Sequence, residues 1–504
     1  MLNIGRREHA FRDVGCTAVT FLASLSSLLL LQQGGPARDR QIDADSAGFI
    51  LLVRDLITGS GGLSDWYLGT HHYLFPDGLL ACIALGMNVL GVPIFDATVG
   101  LFGVCYFVVL AYVWHVSFGN RFKKALCWSA IAVTFAFVIS YSRLGDWFEA
   151  EMMAKTLVPS THQGAILTSL IAVAIVQKLM SLGSRSSERK TFLAILVVLV
   201  VLGTFSDILF VPWAICPLIA VTLSRWRSVP RGSNMTIVGV IILAAIFGYA
   251  ASKLIGYGVL DTYLAKARVD VSVSMAAALG FLSDGARFNT LAAGVLVYTN
   301  GILWIACLIL GLRSPRGQSA ALASIVIFCG TATFTSIFAA TVVGMFKGAV
   351  TMRYILPYVF YGYLALAAYL VFEVMRWFGR TSLLVPPVLS CAMCLAVLGA
   401  LMPAPRSTAD QIADCLDTHQ LTLGAAHYWD ANPIMLANSK VRLVPLYPEG
   451  PEPYAWNTKR AWMTLKPMQF VVSEERLSEK DIEAFGEPSR TIPCGGRLIF
   501  DLRG

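Results

Sequence analysis

Long apolar runs recur along this chain and restrict its fold more than any other feature. A helix needs roughly 18 mostly apolar residues to cross about 30 Å of hydrocarbon. Eleven candidate spans can be read, near residues 14–32, 95–118, 125–142, 163–182, 191–223 (a close pair), 235–257, 288–312, 317–345, 354–374 and 381–402. With 56% apolar and 14% charged residues and a mean hydropathy of +0.66, a soluble globular protein is excluded. We predict an α-helical polytopic membrane protein with a retained first helix.

Basic residues predict which side of the membrane each loop occupies. Short loops rich in lysine and arginine stay on the cytoplasmic side. Such clusters lie at Arg121–Lys124, Arg185–Lys190, Arg225–Arg231, Arg313–Arg316 and Arg376–Arg380, and basic residues also precede the first span. Residues 78–93 are too short to cross and are predicted to form a helix in the outer interface. The chain then begins in the cytoplasm and ends outside. The net charge of +8 follows mostly from this topology, with a basic cytoplasmic face beside anionic lipid, and need not imply nucleic acid.

A change of composition after Met402 predicts a second domain. Residues 403–504 have an ordinary charge density, with strands expected at LTLGAAHYW, VRLVPLYP, MQFVVSEE and RLIFDL and helices near 407–419 and 478–485. We predict a transmembrane module of residues 1–402 and a small extracytoplasmic α/β domain of residues 403–504. Cys415 and Cys494 could pair in an oxidising exterior, if the fold brings them close. Three tryptophans could stack on sugars or fill a core: Trp429, Trp456 and Trp462.

The predicted outer loop 33–94 joins the first two spans and carries carboxylates beside aromatic residues. Its apolar residues after Asp45 share one helical face: Phe49, Leu52, Val53 and Leu56. This spacing predicts an amphipathic interfacial helix that begins near Asp45. Asp43 or Asp45 could simply cap that helix, and the following glycines are expected to end it.

The order of these features resembles the GT-C superfamily of membrane glycosyltransferases, above all the branch with the protein O-mannosyltransferases and the lipid A aminoarabinose transferase. Asp45, Phe49 and Arg54–Asp55 stand at the spacing of that branch's first-loop motif, followed by Ser64-Asp65-Trp66 at a turn. Ser46 stands where the family has a second acidic residue, which leaves the substrate open. A second match, MRYILPYVF from residue 352, is similar to the family's Arg-Tyr-Leu-Leu-Pro segment and puts Arg353 at the outer boundary.

The resemblance implies transfer of a sugar from a polyprenyl-phosphate donor to a hydroxyl of a glycan, lipid or protein, at the outer membrane face. We take the membrane to be a bacterial cytoplasmic membrane, and an endoplasmic reticulum membrane would give the same topology. Asp45 is the candidate base, with Asp43 as the alternate. Arg353 and Lys347 are the candidates to bind the phosphate. The transfer would invert the anomeric configuration. The alternatives are a ligase of lipid-linked glycans and a transporter or flippase of a lipid-linked or polar substrate.

Other polar residues on the predicted outer face complete the candidate substrate-binding set. His162 could bind the acceptor, a phosphate or a metal, or be a satisfied loop histidine. Asp207 lies in a very short turn between two spans and is expected to face a cavity or to cap a helix. Trp66 and Asp77 are further candidates. His71–His72 with Asp65 and Asp77 could supply ligands for a divalent metal, although their spacing matches no strong metal motif; no other cofactor is predicted.

Overall fold

The computed structural model describes about three fifths of the chain. The described stretches are residues 43–68, 72–92, 94–118, 162–182, 186–225, 231–254, 271–283, 318–344, 407–447 and 450–503, with single positions between 301 and 368. The predicted spans at 14–32, 125–142 and 381–402, and most of those at 288–312 and 354–374, lie outside the described residues.

The described part of the predicted outer loop starts with a capped helix. Helix α1 (Ala44–Thr58) starts at Asp43, whose Oδ1 accepts a hydrogen bond from the backbone N–H of Ser46 at 2.8 Å. It ends at Gly59, which adopts a left-handed φ of 67° that favours glycine. The predicted helix and the capping role of Asp43 are therefore confirmed. Strand β1 (Trp66–Tyr67), an irregular turn (Leu74–Gly78) and helix α2 (Leu79–Val89) follow.

A set of apolar helices of different lengths forms the second part of the structure. The helices are α3 (Ile94–Phe118), α4 (Gln163–Ser181), α5 (Ser187–Ser206), α6 (Cys216–Ser224, continuous with the π-helical segment Val211–Ile215), α7 (Arg231–Leu254), α8 (Val271–Ser283) and α9 (Gln318–Val342). Among the described residues, five of these are long and apolar enough to cross a membrane, namely α3, α4, α5, α7 and α9. The second member of the close pair, Val211–Ser224, is a shorter apolar helix, and the total of eleven spans stays a prediction.

Side-chain contacts show how these helices run relative to one another. Ser117 Oγ donates to Gln177 Oε1 at 2.7 Å near the C-terminal ends of α3 and α4, so those two helices are parallel. Arg189, at the start of α5, donates to the carbonyl of Leu179 at 3.1 Å near the end of α4 and to Ser233 Oγ at 2.6 Å near the start of α7. The helix ends beside the basic loops at 119–124, 183–190 and 226–231 therefore gather at one end of the bundle. The opposite end is the one that we predict to face outward.

The C-terminal residues form a small α/β domain. Its elements are α10 (Thr408–Thr418), β2 (Leu423–His427), α11 (Tyr428–Ala437), β3 (Arg442–Leu446), β4 (Thr458–Lys459), β5 (Phe470–Ser473), α12 (Glu479–Phe485), β6 (Arg490–Cys494) and β7 (Arg497–Asp501). One sheet has the strand order β3-β2-β5-β7-β6, in which β2 is parallel to β3 and β5, and β7 is antiparallel to β5 and β6. The expected strand LTLGAAHYW is wrong beyond His427, because the chain turns into α11 there.

A disulfide joins two elements of this domain. Cys415 in α10 and Cys494 in β6 are bonded, with their Cα atoms 6.4 Å apart and 79 residues between them in sequence. The pairing that the sequence left open is therefore present. Because disulfides persist mainly outside the cytoplasm, the bond supports the prediction that this domain is extracytoplasmic.

Helix α1 shares one hydrophobic core with the C-terminal domain. Every residue from Ala44 to Val53 is buried, and Phe49, Ile50 and Leu52 pack in one cluster with domain residues such as Ile434 and Phe470. Strand β1 pairs antiparallel with β4, with Trp66 opposite Lys459. The prediction that α1 is buried on one face only is therefore wrong for its first ten residues, because the C-terminal domain packs against the helix as well.

Gly48 permits the closest approach between α1 and this domain. A Cβ atom at Gly48 would lie 2.7 Å from the carbonyl oxygen of Asn457 and 2.8 Å from Nδ2 of Asn432. Glycine is unfavourable inside a helix by about 1 kcal/mol relative to alanine. Its presence at this position follows from the lack of space for any side chain.

Replacing Gly48 should loosen the junction between α1 and the domain. We expect Gly48→Ala to lower stability by about 1–3 kcal/mol through overpacking, measured as a lower thermal unfolding midpoint and faster hydrogen exchange in α1. Gly86→Ala is the control, because a Cβ there has nothing within 4 Å. Equal unfolding midpoints and exchange rates in the two variants would contradict the close approach of Gly48 to Asn432 and Asn457.

Removing the disulfide should weaken the C-terminal domain. The double variant Cys415→Ser/Cys494→Ser is expected to lose about 2–4 kcal/mol, because the crosslink restricts the unfolded chain. Thermal unfolding with and without reductant measures this, and Cys82→Ser is the control since Cys82 is a free, exposed thiol. Reductant should lower the unfolding temperature of the wild type and of the control, but not that of the double variant. An unchanged unfolding temperature of the wild type in reductant would argue against the disulfide.

Candidate functional site

Asp45 lies at the junction between α1 and the C-terminal domain. Its side chain is 4% exposed. Its Oδ1 accepts hydrogen bonds from Tyr428 Oη at 2.6 Å, Trp456 Nε1 at 2.8 Å and Asn457 Nδ2 at 3.2 Å. All three donors belong to the C-terminal domain and lie more than 380 positions away in sequence. Because an unbonded buried carboxylate is very unfavourable, these donors are what makes the burial of Asp45 tolerable.

Tyr428 is held in its donating form at this junction. Burial raises the pKa of Tyr428 well above its usual value, and the neighbouring Asp45 carboxylate raises it further, because a phenolate beside a carboxylate would be repelled. The Tyr428 hydroxyl therefore stays protonated at physiological pH. It can keep donating to Asp45 throughout the pH range in which the protein is expected to work.

A second polar cluster lies where α4 begins and α5 ends. His162 Nδ1 lies 2.6 Å from Asp207 Oδ2, and the two side chains are 2% and 5% exposed. Asp207 Oδ1 also accepts from the backbone N–H of Leu209 at 2.9 Å, so this carboxylate both shapes its turn and orients the imidazole. His162 has a left-handed φ of 68°, which is uncommon for a residue with a side chain. Such strained positions often accompany functional sites.

The first outer loop is attached to this cluster through the Ser206–Asp207 turn. The backbone N–H of Tyr73 donates to the carbonyl of Ser206 at 3.2 Å, and that of Phe75 donates to Ser206 Oγ at 2.6 Å. Tyr73 Oη then lies 3.4 Å from His162 Nε2. Segments at residues 72–78, 162–164 and 206–207 therefore meet at one end of the bundle, as the sequence predicted for the outer face.

Asp77 lies against the first turn of α4. The side chain is 2% exposed, and a Cβ atom at Gly164 would overlap its Oδ2. The N-terminus of a helix carries free N–H groups and a partial positive charge, so a carboxylate is favoured there. Gly164 therefore allows Asp77 to approach the helix end closely.

Aromatic rings enclose His162 and connect it to Asp45. The ring centroids of Tyr73, Trp213 and Tyr354 lie 5.3, 5.5 and 5.9 Å from that of His162. Tyr73 also makes an edge contact with Phe49 at 6.2 Å, and Phe49 lies one helical turn after Asp45 in α1. The two polar clusters are thus joined through two adjacent rings.

The remaining candidates divide into buried residues and residues outside the described part of the chain. Trp66 is 1% exposed and packs against Trp462 with their rings 5.1 Å apart, so its substrate-binding role stays a prediction. Of the three domain tryptophans only Trp429 is exposed, at 49%. Arg353 and Lys347 lie outside the described residues, although Tyr354, which follows Arg353, contacts His162.

The metal prediction also finds no further support in the described part of the chain. Among those residues no three histidine, cysteine or acidic side chains lie together as a metal site would require. Asp65 instead accepts from the backbone N–H of Gly62 at 2.7 Å within its own turn. His72 lies 3.5 Å from the carbonyl of Ser252, and burial lowers the pKa of His72 so that the neutral form is favoured. His71 lies outside the described residues.

Sequence reasoning missed the domain side of the Asp45 cluster. Tyr428 and Asn457 carried no motif, and Trp456 was noted only as a candidate for sugar stacking or core packing. One local signal exists: Asn457 has a left-handed φ of 41°, a conformation in which asparagine is enriched. That signal indicates a turn, but it does not identify the carboxylate that the turn contacts.

Comparisons with known proteins give one structural similarity. No protein family model matches the chain, and no curated protein sequence matches it. Among solved structures the chain is similar to the crystal structure of the Archaeoglobus fulgidus oligosaccharyltransferase in complex with Zn and sulfate, with 13% sequence identity over 90% of this chain and 67% of that chain. The TM-score is 0.43, a value that does not establish a shared fold.

Separating His162 from Asp207 should destabilise the bundle end that they share. We expect Asp207→Ala to lower stability by about 1.5–3 kcal/mol, because the buried hydrogen bond between His162 Nδ1 and the Asp207 carboxylate is lost. Thermal unfolding in detergent measures the change. Lys440→Gln is the control, since the Lys440–Asp417 pair is 72% and 59% exposed and such surface pairs contribute about 0–1 kcal/mol. A result for Asp207→Ala no larger than for the control would argue against the buried pair.

Proposed function

We propose that this protein is a membrane glycosyltransferase that moves a sugar from a polyprenyl-phosphate donor to an acceptor hydroxyl at the outer membrane face. The observation that carries the proposal is the gathering of buried ionisable groups at the bundle end opposite the basic loops. Asp77, His162 and Asp207 are each buried there. Ionisable side chains at the ends of membrane helices are costly and typically mark a substrate path.

Asp45 is the proposed general base. The acceptor oxygen forms a bond to the anomeric carbon while the bond from that carbon to the phosphate oxygen breaks and its electron pair leaves with the polyprenyl phosphate. The acceptor proton passes to Asp45 as the hydroxyl attacks. A single displacement of this kind inverts the anomeric configuration. The hydrogen bonds to Oδ1 hold the Asp45 carboxylate in a fixed orientation, which a base requires. Asp43 is the alternate, although its Oδ1 already caps α1.

The leaving phosphate needs donors and positive charge. We propose Arg353 and Lys347 for this role, because a guanidinium or ammonium group matches phosphate oxygens. The contact of Tyr354 with His162 supports a position of the adjacent Arg353 near the His162 cluster. His162 and Asp77 are proposed to bind the donor or the acceptor at the same bundle end. A glycan, a lipid or a protein hydroxyl would each satisfy the chemistry.

The proposed location is the cytoplasmic membrane of a bacterium, with the N-terminus inside and the C-terminal domain outside. The disulfide between Cys415 and Cys494 supports an oxidising exterior for that domain. The short helix Val211–Ser224, between α5 and α7, supports the predicted close pair of segments at 191–223.

Donor turnover tests this proposal. Membranes with wild-type protein should release labelled sugar from one of a panel of polyprenyl-phosphate sugars, and Asp45→Asn should lose about 100-fold or more because general base catalysis contributes about 10²–10⁴-fold. Asp417→Asn is the control, since it makes the same change on an exposed carboxylate of the C-terminal domain.

The alternatives predict different outcomes in the same membranes. A ligase would consume a pyrophosphate-linked oligosaccharide and leave the phosphate-linked monosaccharides intact. A transporter would move labelled lipid or solute across the membrane without breaking the sugar–phosphate bond. Either result, or full activity of Asp45→Asn, would count against the proposed transfer with Asp45 as base.

A further inference from the structure

We propose that the C-terminal domain completes the catalytic site, and that Tyr428, Trp456 and Asn457 are positioning residues that orient Asp45. This inference rests on the proposed function, in which Asp45 is the base. The carboxylate belongs to the first outer loop, whereas its three donors belong to a domain that begins more than 350 residues later. The base would therefore be positioned only when the domain is docked.

The chemical nature of the donors suits a positioning role. A phenol, an indole and a primary amide are all neutral, and an indole N–H can only donate. They orient Oδ1 by hydrogen bonding and bring no positive charge of their own.

The surrounding backbone is arranged to hold these donors in place. Asn432 Nδ2 donates to the carbonyl of Ala44 at 3.0 Å and to that of Asn457 at 3.3 Å, so one amide links the start of α1 to the donor turn. The approach of this turn to Gly48 leaves no space for a side chain. The hydrogen bonds of Asn432 and the close contact at Gly48 therefore both resist displacement of Asp45 relative to its donors.

Docking by itself does not require a buried carboxylate. The same junction contains the core shared by α1 and the domain, the β1–β4 pair, and the ion pair of Lys459 Nζ with Asp55 Oδ2 at 2.9 Å. Replacing buried polar or ionic groups by well-packed apolar ones often leaves stability unchanged or raises it. A carboxylate bonded to three neutral donors is therefore better explained by a role in the reaction than by a role in docking.

Two variants remove a donor while leaving the junction otherwise intact. Tyr428→Phe deletes only the hydroxyl. Asn457→Gly deletes the amide and keeps the left-handed backbone, which glycine adopts without strain. The matched control is Lys459→Gln, which breaks the junction ion pair with Asp55 and leaves all three donors to Asp45.

The experiment measures kcat and KM for donor turnover, together with hydrogen exchange in α1, on the full-length protein. Tyr428→Phe and Asn457→Gly should each lower kcat by about 10- to 100-fold with KM little changed, because one hydrogen bond to a charged group is lost. Lys459→Gln should increase exchange only in the last turn of α1, beside Asp55, while the start of the helix keeps its three donors to Asp45 and kcat stays near the wild-type value. A kcat loss in the control equal to that in Tyr428→Phe, or no loss in either donor variant, would overturn the positioning role.

Hydrogen exchange separates failure of this inference from failure of the proposed function. Tyr428→Phe should increase exchange in α1 in the wild-type background but not further in an Asp45→Asn background, because the hydroxyl acts on the carboxylate. If this coupling is present and the wild type turns over no donor, the proposed function fails, and the catalytic role of the three donors fails with it. If the wild type turns over donor but the coupling and the kcat losses are absent, only the positioning role is overturned.

Discussion

The burial of the Asp45 carboxylate beneath the C-terminal domain is the constraint on which the outer half of this structure depends. A carboxylate at 4% exposure is tolerable only with its hydrogen bonds made. Those bonds come from Tyr428, Trp456 and Asn457, so α1 cannot be buried as it is without the domain. The domain in turn fills its own core with residues of α1. Each side therefore supplies what the other needs to be stable.

Residues 72–78 connect this junction to the ends of α4 and α5 through backbone and side-chain contacts. Ser206 binds the N–H groups of Tyr73 and Phe75, and thereby fixes the first outer loop to the end of α5. Asp77 approaches the start of α4 across Gly164, which fixes the same loop to a second helix. The loop is consequently held between the long helices and the domain, with Asp45, Asp55 and Asp77 buried.

Sequence alone predicts the features that depend on local pattern. Five long helices follow from apolar length. An aspartate cap at the start of α1 follows from residue type, although the sequence left Asp43 and Asp45 as alternatives and the structure selects Asp43. The burial of residues 44–53 of α1 on all faces does not follow, because periodicity reveals only one apolar face and the other faces are covered by residues beyond 400. Likewise, the sequence predicts that the strand continues through Tyr428 and Trp429, since aromatic residues are common in strands. In the structure helix α11 begins at Tyr428, and the Tyr428 hydroxyl donates to Asp45. Local sequence patterns extend over a few residues, so they do not predict contacts such as those of Asp45 with Tyr428 and Trp456, which lie more than 380 positions away.

The two polar clusters are mechanically coupled because a single helix contacts both. Asp45 and Phe49 are four residues apart in α1 and therefore lie on one side of the helix. Asp45 is bound by the domain, and Phe49 packs against Tyr73, whose hydroxyl lies 3.4 Å from His162 Nε2. A shift of α1 relative to the domain would thus displace the Tyr73 ring relative to His162 and Asp207. Since closely packed interiors transmit displacement with little compression, docking of the domain fixes the geometry of the membrane-end cluster as well as that of Asp45.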